Sequence, residues 1–183
     1  APSAPRPQRI CIVNMPKVLK EFDKANFQGH EITQKRQAYV TLVNGKRENL
    51  AGLPADRVVF IARDIREHEA YRAVLRQAQV VYHLACLGVR HSVHSPVENH
   101  DVNATATLRL LEESRSANVP RFVYVSSSEV YGTTLWAPMT EQHPTFPCTV
   151  YGGSKLAGES YTRAFHRTYG YPTVVVRPFN TYG

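Results

Sequence analysis

Short apolar runs alternate with amphipathic stretches along this chain, and that alternation limits the folds open to it. The runs Ile10 to Val13, Tyr39 to Val43, Val58 to Ile61, Val80 to Leu84, Phe122 to Val125 and Thr173 to Val176 are rich in Val, Ile, Phe and Tyr. They are nearly continuous in hydrophobicity, as strands buried on both faces must be. Between them, Pro16 to Asn26, Glu67 to Gln79, Val97 to Ala117 and Ser154 to Thr168 read as helices. The last of these carries Leu156, Tyr161, Ala164 and Phe165 on or near one face. Strands alternating with helices call for a doubly wound parallel sheet, an α/β fold of Rossmann type with helices on both sides.

The 183 residues suit one domain with its own core, and a hydrophobic content of 43% is ordinary for a globular chain. Residues 1–9 form a Pro-rich tail that reads as flexible, and 10–183 form the domain. No apolar run approaches the ~20 residues that cross a bilayer. The tail also lacks the apolar segment of a secretory signal, so a cytoplasmic location is expected. Cys11, Cys86 and Cys148 are far apart and in no metal-ligand spacing, which predicts buried, reduced thiols. The histidines at 68, 83, 91, 94, 100 and 143 match no ligand pattern either, so no metal is expected. The formal charge of +7 suits phosphate-bearing ligands as well as nucleic acid. The basic residues are scattered, and no module that reads RNA or DNA is visible.

The chemistry concentrates in two segments. One is Ser126-Ser127-Ser128-Glu129-Val130-Tyr131-Gly132, at the end of an apolar strand; the other is Tyr151-Gly152-Gly153-Ser154-Lys155. On a helix, residues four apart share a face, so Lys155 stands one turn from Tyr151. A phenol near its reference pKa of about 10 is a poor base at neutral pH, and a nearby cation lowers that value. Ser127 can hold the oxygen that gains or loses the proton. A general base, a tuning cation and an orienting hydroxyl point to alcohol oxidation or ketone reduction.

Further motifs follow the same order along the chain: Tyr82-His83-Leu84-Ala85, Asn103-Ala104-Thr105-Ala106-Thr107, Pro138-x-x-Glu141-x-x-Pro144-x-x-Pro147, and Arg177-Pro178-Phe179-Asn180-Thr181-Tyr182-Gly183. Together they resemble the extended short-chain dehydrogenase/reductase family, the NAD-dependent nucleotide-sugar epimerases, dehydratases and decarboxylases. The resemblance runs from about Asn44 to Gly183. It implies NAD as cofactor, a nucleotide-sugar substrate, and a homodimer built on the helices Val97 to Ala117 and Ser154 to Thr168. It also implies a C-terminal substrate lobe beyond Gly183, which this sequence lacks.

Residue by residue, the resemblance makes Tyr151 the acid/base, Lys155 its tuning cation and a ribose contact, and Ser127 the substrate-orienting hydroxyl. Ser126, Asp64, Ile65, Leu84, Ala85, Cys86, Asn103 and Phe179 fall on cofactor positions, and Ser128 and Asn180 on substrate positions. Cys86 stands where Gly or Ala is commoner in the family. Asp64 has an alternative as a turn residue capping the helix from Glu67, and Asn103 as a helix Asn bonded to nearby backbone. Glu129 would serve as a second acid/base in a dehydratase or decarboxylase, or be a solvated loop carboxylate. Ser128 replaces the Asp of the dehydratase Asp-Glu pair. The leading expectation is therefore an NAD-dependent epimerase. A Glu129-dependent dehydratase or decarboxylase and a non-catalytic scaffold are the alternatives.

The N-terminal half departs from the pattern. Glycines that let backbone amides close on a pyrophosphate should follow the first strand. Here Asn14-Met15-Pro16-Lys17-Val18-Leu19-Lys20 follows, with no glycine until Gly29. The second strand ends Leu42-Val43-Asn44, without the acidic residue that holds the adenine ribose.

Overall fold

The computed structural model describes residues 61–180 and the strand at 12–14. The expected strand Tyr39 to Val43, the helix Pro16 to Asn26 and the N-terminal tail lie outside the described residues. Strand β1 (Ile12–Asn14) pairs in parallel with β2 (Ile61–Arg63), with Ile12 opposite Ile61. A second sheet has the order β3 (Val80–His83), β4 (Arg121–Val125), β5 (Thr173–Val176), all parallel. Val80 stands opposite Arg121 and Phe122 opposite Thr173. The last three strands thus fall where the apolar runs put them. Of the third run, Val58 to Ile61, only Ile61 is among the described residues, and it lies in β2, which ends just before Asp64.

The helices are α1 (Glu69–Leu75), α2 (Val89–His94), α3 (Pro96–His100), α4 (Ala106–Ser116) and α5 (Val150–Tyr169). Two of them differ from expectation for local reasons. The stretch read as one helix from Val97 to Ala117 contains a π-helical turn at Asp101–Thr105 between α3 and α4. Such turns insert an extra residue and re-aim the side chains beside it. The last helix starts at Val150 instead of Ser154, because the Thr149 side chain caps it by accepting from Gly152 N at 2.9 Å. It ends at Gly170, whose φ of +65° makes the left-handed cap that glycine favours. The earlier start brings Tyr151 into the first turn. No described helix is long and apolar enough to cross a membrane.

One apolar cluster joins sheet and helices. Val81, Phe122 and Tyr124 meet Tyr71 and Leu75 of α1, Leu110 and Leu111 of α4, and Phe165 of α5. Strands buried on both faces were expected, and β3 and β5 correct this. Tyr82 is 58% exposed, and Val174 and Val176 are each 43% exposed. Successive side chains of a strand point to opposite faces, and among the described residues the core cluster covers one.

Helix α5 crosses the sheet closely at Gly158. A methyl group there would lie 2.4 Å from the Tyr124 hydroxyl and 2.9 Å from the Asn103 carbonyl. The missing side chain lets the acid/base helix lie against the strand end and the π-turn together.

Candidate active site at the strand carboxyl ends

In open parallel sheets, ligands sit outside the carboxyl ends of the strands. Leu84, Ala85 and Cys86 leave β3 there, Ser126 to Glu129 leave β4, and Arg177 to Asn180 leave β5. Tyr151 and Lys155 reach the same edge from α5. Backbone bonds keep the exits together: Ser126 N donates to Val176 O at 2.7 Å, and Ser128 N to Pro178 O at 3.1 Å.

Ser127 shapes its own turn, its Oγ accepting from Glu129 N at 3.2 Å. Its hydroxyl also acts on the Tyr151 phenol, favouring the phenolate. Ser128 opens a short 3-10 turn, Ser128–Val130. Glu129 is exposed and takes a bond from Thr149 Oγ1 at 3.3 Å. Gly132 follows with φ +68°, where any side chain would strike the Phe146 carbonyl. That approach fixes the turn that brings Glu129 toward α5.

Burial raises the Tyr151 pKa, and the nearby Cys86 thiol and Glu129 carboxylate add to the rise, while the Ser127 hydroxyl opposes it. The sequence suggested a phenol lowered by Lys155, and the structure corrects this. Lys155 is 1% exposed, and its ammonium donates to Val125 O at 2.6 Å, 4.5 Å above the Tyr124 ring centre. Its charge is spent on a strand-end carbonyl and an aromatic face. Burial pulls its own pKa down to about 8, with Cys86 opposing.

Other expected positions resolve differently. Asn103 is fully enclosed. Its Oδ1 accepts from Leu87 N at 2.8 Å, and its Nδ2 lies 2.9 Å from both Leu87 O and Ser154 Oγ. These bonds use its side chain inside the protein, so the expected cofactor contact becomes a structural clamp. Ser126 is likewise buried, and its hydroxyl makes no hydrogen bond among the described residues. The Asp64 carboxylate is held by the Arg66 guanidinium at 2.6–3.1 Å, and its Oδ1 also accepts from Arg66 N. It makes a turn with Arg66 and caps no helix, because α1 begins only at Glu69. Ile65 is a core residue. Leu84, Cys86, Phe179 and Asn180 are exposed at the site's edge, and Phe179 stacks on Tyr131 at 6.2 Å; the thiols of Cys86 and Cys148, expected to be buried, are both exposed, because each lies on a loop outside the core cluster.

Three features of the site were not read from the sequence. Glu159, two turns beyond Tyr151, is buried and ion-paired with Arg177 and Arg163. Burial pushes its carboxyl up, but the Arg177 hydrogen bonds and both cations bring the net value below the usual range. Asn99 donates to Leu87 O at 2.9 Å and joins the Asn103 clamp. His83 sits 2.7 Å from the Thr107 hydroxyl, which itself donates to Asn103 O. A hydroxyl has one proton, so His83 Nε2 must be the donor. Burial and the Lys155 charge hold His83 neutral, with a pKa of about 3. A signal existed for the first: Tyr151, Lys155 and Glu159 recur at helical spacing, and a carboxylate on a buried stripe requires a cation.

The parallel strands with a Tyr-x-x-x-Lys helix at their carboxyl edge define a Rossmann-type domain of the short-chain dehydrogenase/reductase class. Within that class, the family model described as GDP-mannose 4,6 dehydratase matches residues 24–183, and the chain belongs to this family. It is similar to a putative UDP-glucose 4-epimerase of Methanocaldococcus jannaschii, 33% identical over 78% of this chain and 46% of that protein. A dTDP-glucose 4,6-dehydratase structure from Streptomyces venezuelae, with NAD bound, superposes with a TM-score of 0.71. It is 35% identical and covers 75% of this chain and 43% of its own. A UDP-N-acetylglucosamine 4-epimerase structure from Methanobrevibacter ruminantium gives 0.70, at 31% identity over 74% of this chain and 44% of its own. The chain spans less than half the length of these relatives.

Proposed function

We propose that this chain is the cofactor-binding and proton-transferring part of an NAD-dependent nucleotide-sugar epimerase. One observation carries the reading: Tyr151, Ser127 and Lys155 converge at the carboxyl ends of parallel strands. The similar structures that hold NAD support the cofactor. The residues present fit its nicotinamide end, where Ser127, Leu84, Cys86 and Phe179 follow the carboxyl ends of three adjacent parallel strands. At the adenine end the fit is tighter, because Asp64 is already engaged by Arg66. When bound, the dinucleotide supplies a hydride acceptor and later a hydride donor.

The chain's own residues handle the proton. Ser127 holds the sugar hydroxyl against Tyr151. The raised Tyr151 pKa keeps the phenol protonated at neutral pH, ready to return a proton to a keto oxygen. In the opposite direction Tyr151 takes the hydroxyl proton, and the phenolate leans on the Ser127 hydroxyl. Below a pH of about 8 Lys155 keeps the ammonium that holds the Val125 carbonyl at the strand end, and above it that anchor fades. The groove lined by Leu108, Arg109, Phe165 and Tyr169 supports pairing of two copies through α4 and α5.

Glu129 favours a second reading. Its carboxylate influences Tyr151 and is exposed at the site, as a second acid/base for elimination would be. Product analysis with UDP-glucose or dTDP-glucose separates the two. The epimerase reading predicts the C4 epimer, with turnover in Glu129→Gln within about threefold of the parent. A 4-keto-6-deoxy sugar that disappears in Glu129→Gln would replace it with the dehydratase.

A further inference from the structure

We propose that Tyr124 is a positioning residue of the strand-end site: it grips Lys155 at both ends, its hydroxyl on the lysine's main-chain carbonyl and its ring face beneath the ammonium, so that the cation stands at the Val125 carbonyl.

The grip is built from buried parts, with Tyr124 0% and Lys155 1% exposed. The Tyr124 hydroxyl donates to Lys155 O at 3.1 Å, and the Lys155 ammonium lies 4.5 Å over the centre of the same ring. From there the ammonium donates to Val125 O, the next carbonyl along β4, at 2.6 Å. Strand and helix therefore hold each other twice. The strand's hydroxyl bonds the helix backbone, and the helix's ammonium bonds the strand backbone. The tip of the ring meets α5 where the helix has no side chain: a Cβ on Gly158 would lie 2.4 Å from the Tyr124 hydroxyl and 2.8 Å from its Cζ. On the β3 side, His83 is the register partner of Tyr124, and the two ring centres lie 5.5 Å apart. His83 is bonded to Thr107 and neutral, so it backs the ring without repelling the ammonium.

A buried ammonium has three protons to place, and the face of an aromatic ring receives it without demanding a hydrogen-bond geometry. Burial draws the Lys155 pKa down to about 8, and the negative ring face favours the charged form that remains at neutral pH. Burial raises the Tyr124 phenol, which keeps its proton for the Lys155 carbonyl. The titratable groups interacting with the pair are His83 of β3, Cys86 after it, and Tyr151 and Glu159 of α5. Chain order carries the grip to the site. Val125 runs directly into Ser126 and Ser127, and Lys155 stands one helical turn from Tyr151. Tyr124 thereby sets the strand exit that bears Ser127 against the helical turn that bears Tyr151.

The test uses the 183-residue chain labelled at the lysine ε-carbons with ¹³C. The Lys155 resonance is assigned by its loss in Lys155→Met. In the parent, its Cε protons are expected upfield of those of the other lysines, from the ring current of Tyr124, with a titration midpoint near pH 8. Tyr124→Phe keeps the ring and is expected to keep both signatures. Tyr124→Leu is expected to lose the upfield shift and to lower the midpoint by about one unit, or about tenfold in proton affinity. A Lys155 resonance and midpoint left unmoved by Tyr124→Leu would overturn the proposal. Parent Lys155 protons with the shift and midpoint of the other lysines would also overturn it, and that result needs no tyrosine variant to fold. The consequence for proton transfer rests on the acid/base reading of Tyr151, but the grip does not. Full turnover by Tyr151→Phe would sink that reading and leave the lysine resonance test standing.

Discussion

Tyr151→Phe is expected to lower turnover of a nucleotide hexose by about 10²–10⁴-fold, with the fold intact. The phenol proton is what the site moves, and phenylalanine removes only that oxygen. Tyr151 is half-buried and its side chain lies outside the apolar core cluster, so the ring can stay in place. The backbone anchor is also independent of the hydroxyl, since Ser154 reaches the Tyr151 carbonyl. Steady-state rates beside a far-ultraviolet spectrum check this. A variant that keeps more than about a tenth of the parent rate would point to another proton carrier, with Glu129 the nearest candidate.

Arg177→Met is expected to produce the largest loss of stability, about 3–5 kcal/mol. Arg177 donates its Nε to Glu159 Oε2 at 2.9 Å and pairs through its Nη2 as well. Both side chains are buried, at 11% and 2% exposure. Removing the cation leaves a buried carboxylate with only the half-exposed Arg163. The same guanidinium lies 4.6 Å above the Tyr131 ring, so the β5 exit would also loosen from the Tyr131 loop. The pH dependence follows in sign. Glu159 is held below its ordinary value of 4.5, so its contribution is present above that pH and is lost as pH falls through the lower folded value. Urea denaturation of parent and variant should therefore differ most near neutral pH and converge in acid. Equal stabilities at pH 7 would show that the pair contributes nothing.

Much of this arrangement could be read from residue order. The apolar runs at 80–84, 122–125 and 173–176 became strands because continuous Val, Ile, Phe and Tyr leave the backbone few other ways to bury them. The spacing of Tyr151 and Lys155 put them on one helix face. Four things were not legible. The π-turn at Asp101–Thr105 depends on tertiary bonds from Asn103 to Leu87 and Ser154, which no local pattern reveals. The direction of the Tyr151 shift depended on burial and on Cys86, a residue remote in sequence. Lys155 was read by its charge alone, while its position beneath the β4 carboxyl end gave it a carbonyl to bond. Asp64 was matched to a family position without weighing Arg66, which sits two residues away and claims the carboxylate.

The central claim is that these strand ends form a dinucleotide site, although residues 15–20 lack the glycines that usually build one. Calorimetric titration of NAD⁺ into the folded chain tests this most directly. The account predicts micromolar binding that survives moderate salt and weakens at least tenfold in Lys155→Met. No heat at millimolar NAD⁺, from a protein whose circular dichroism shows it folded, would contradict it.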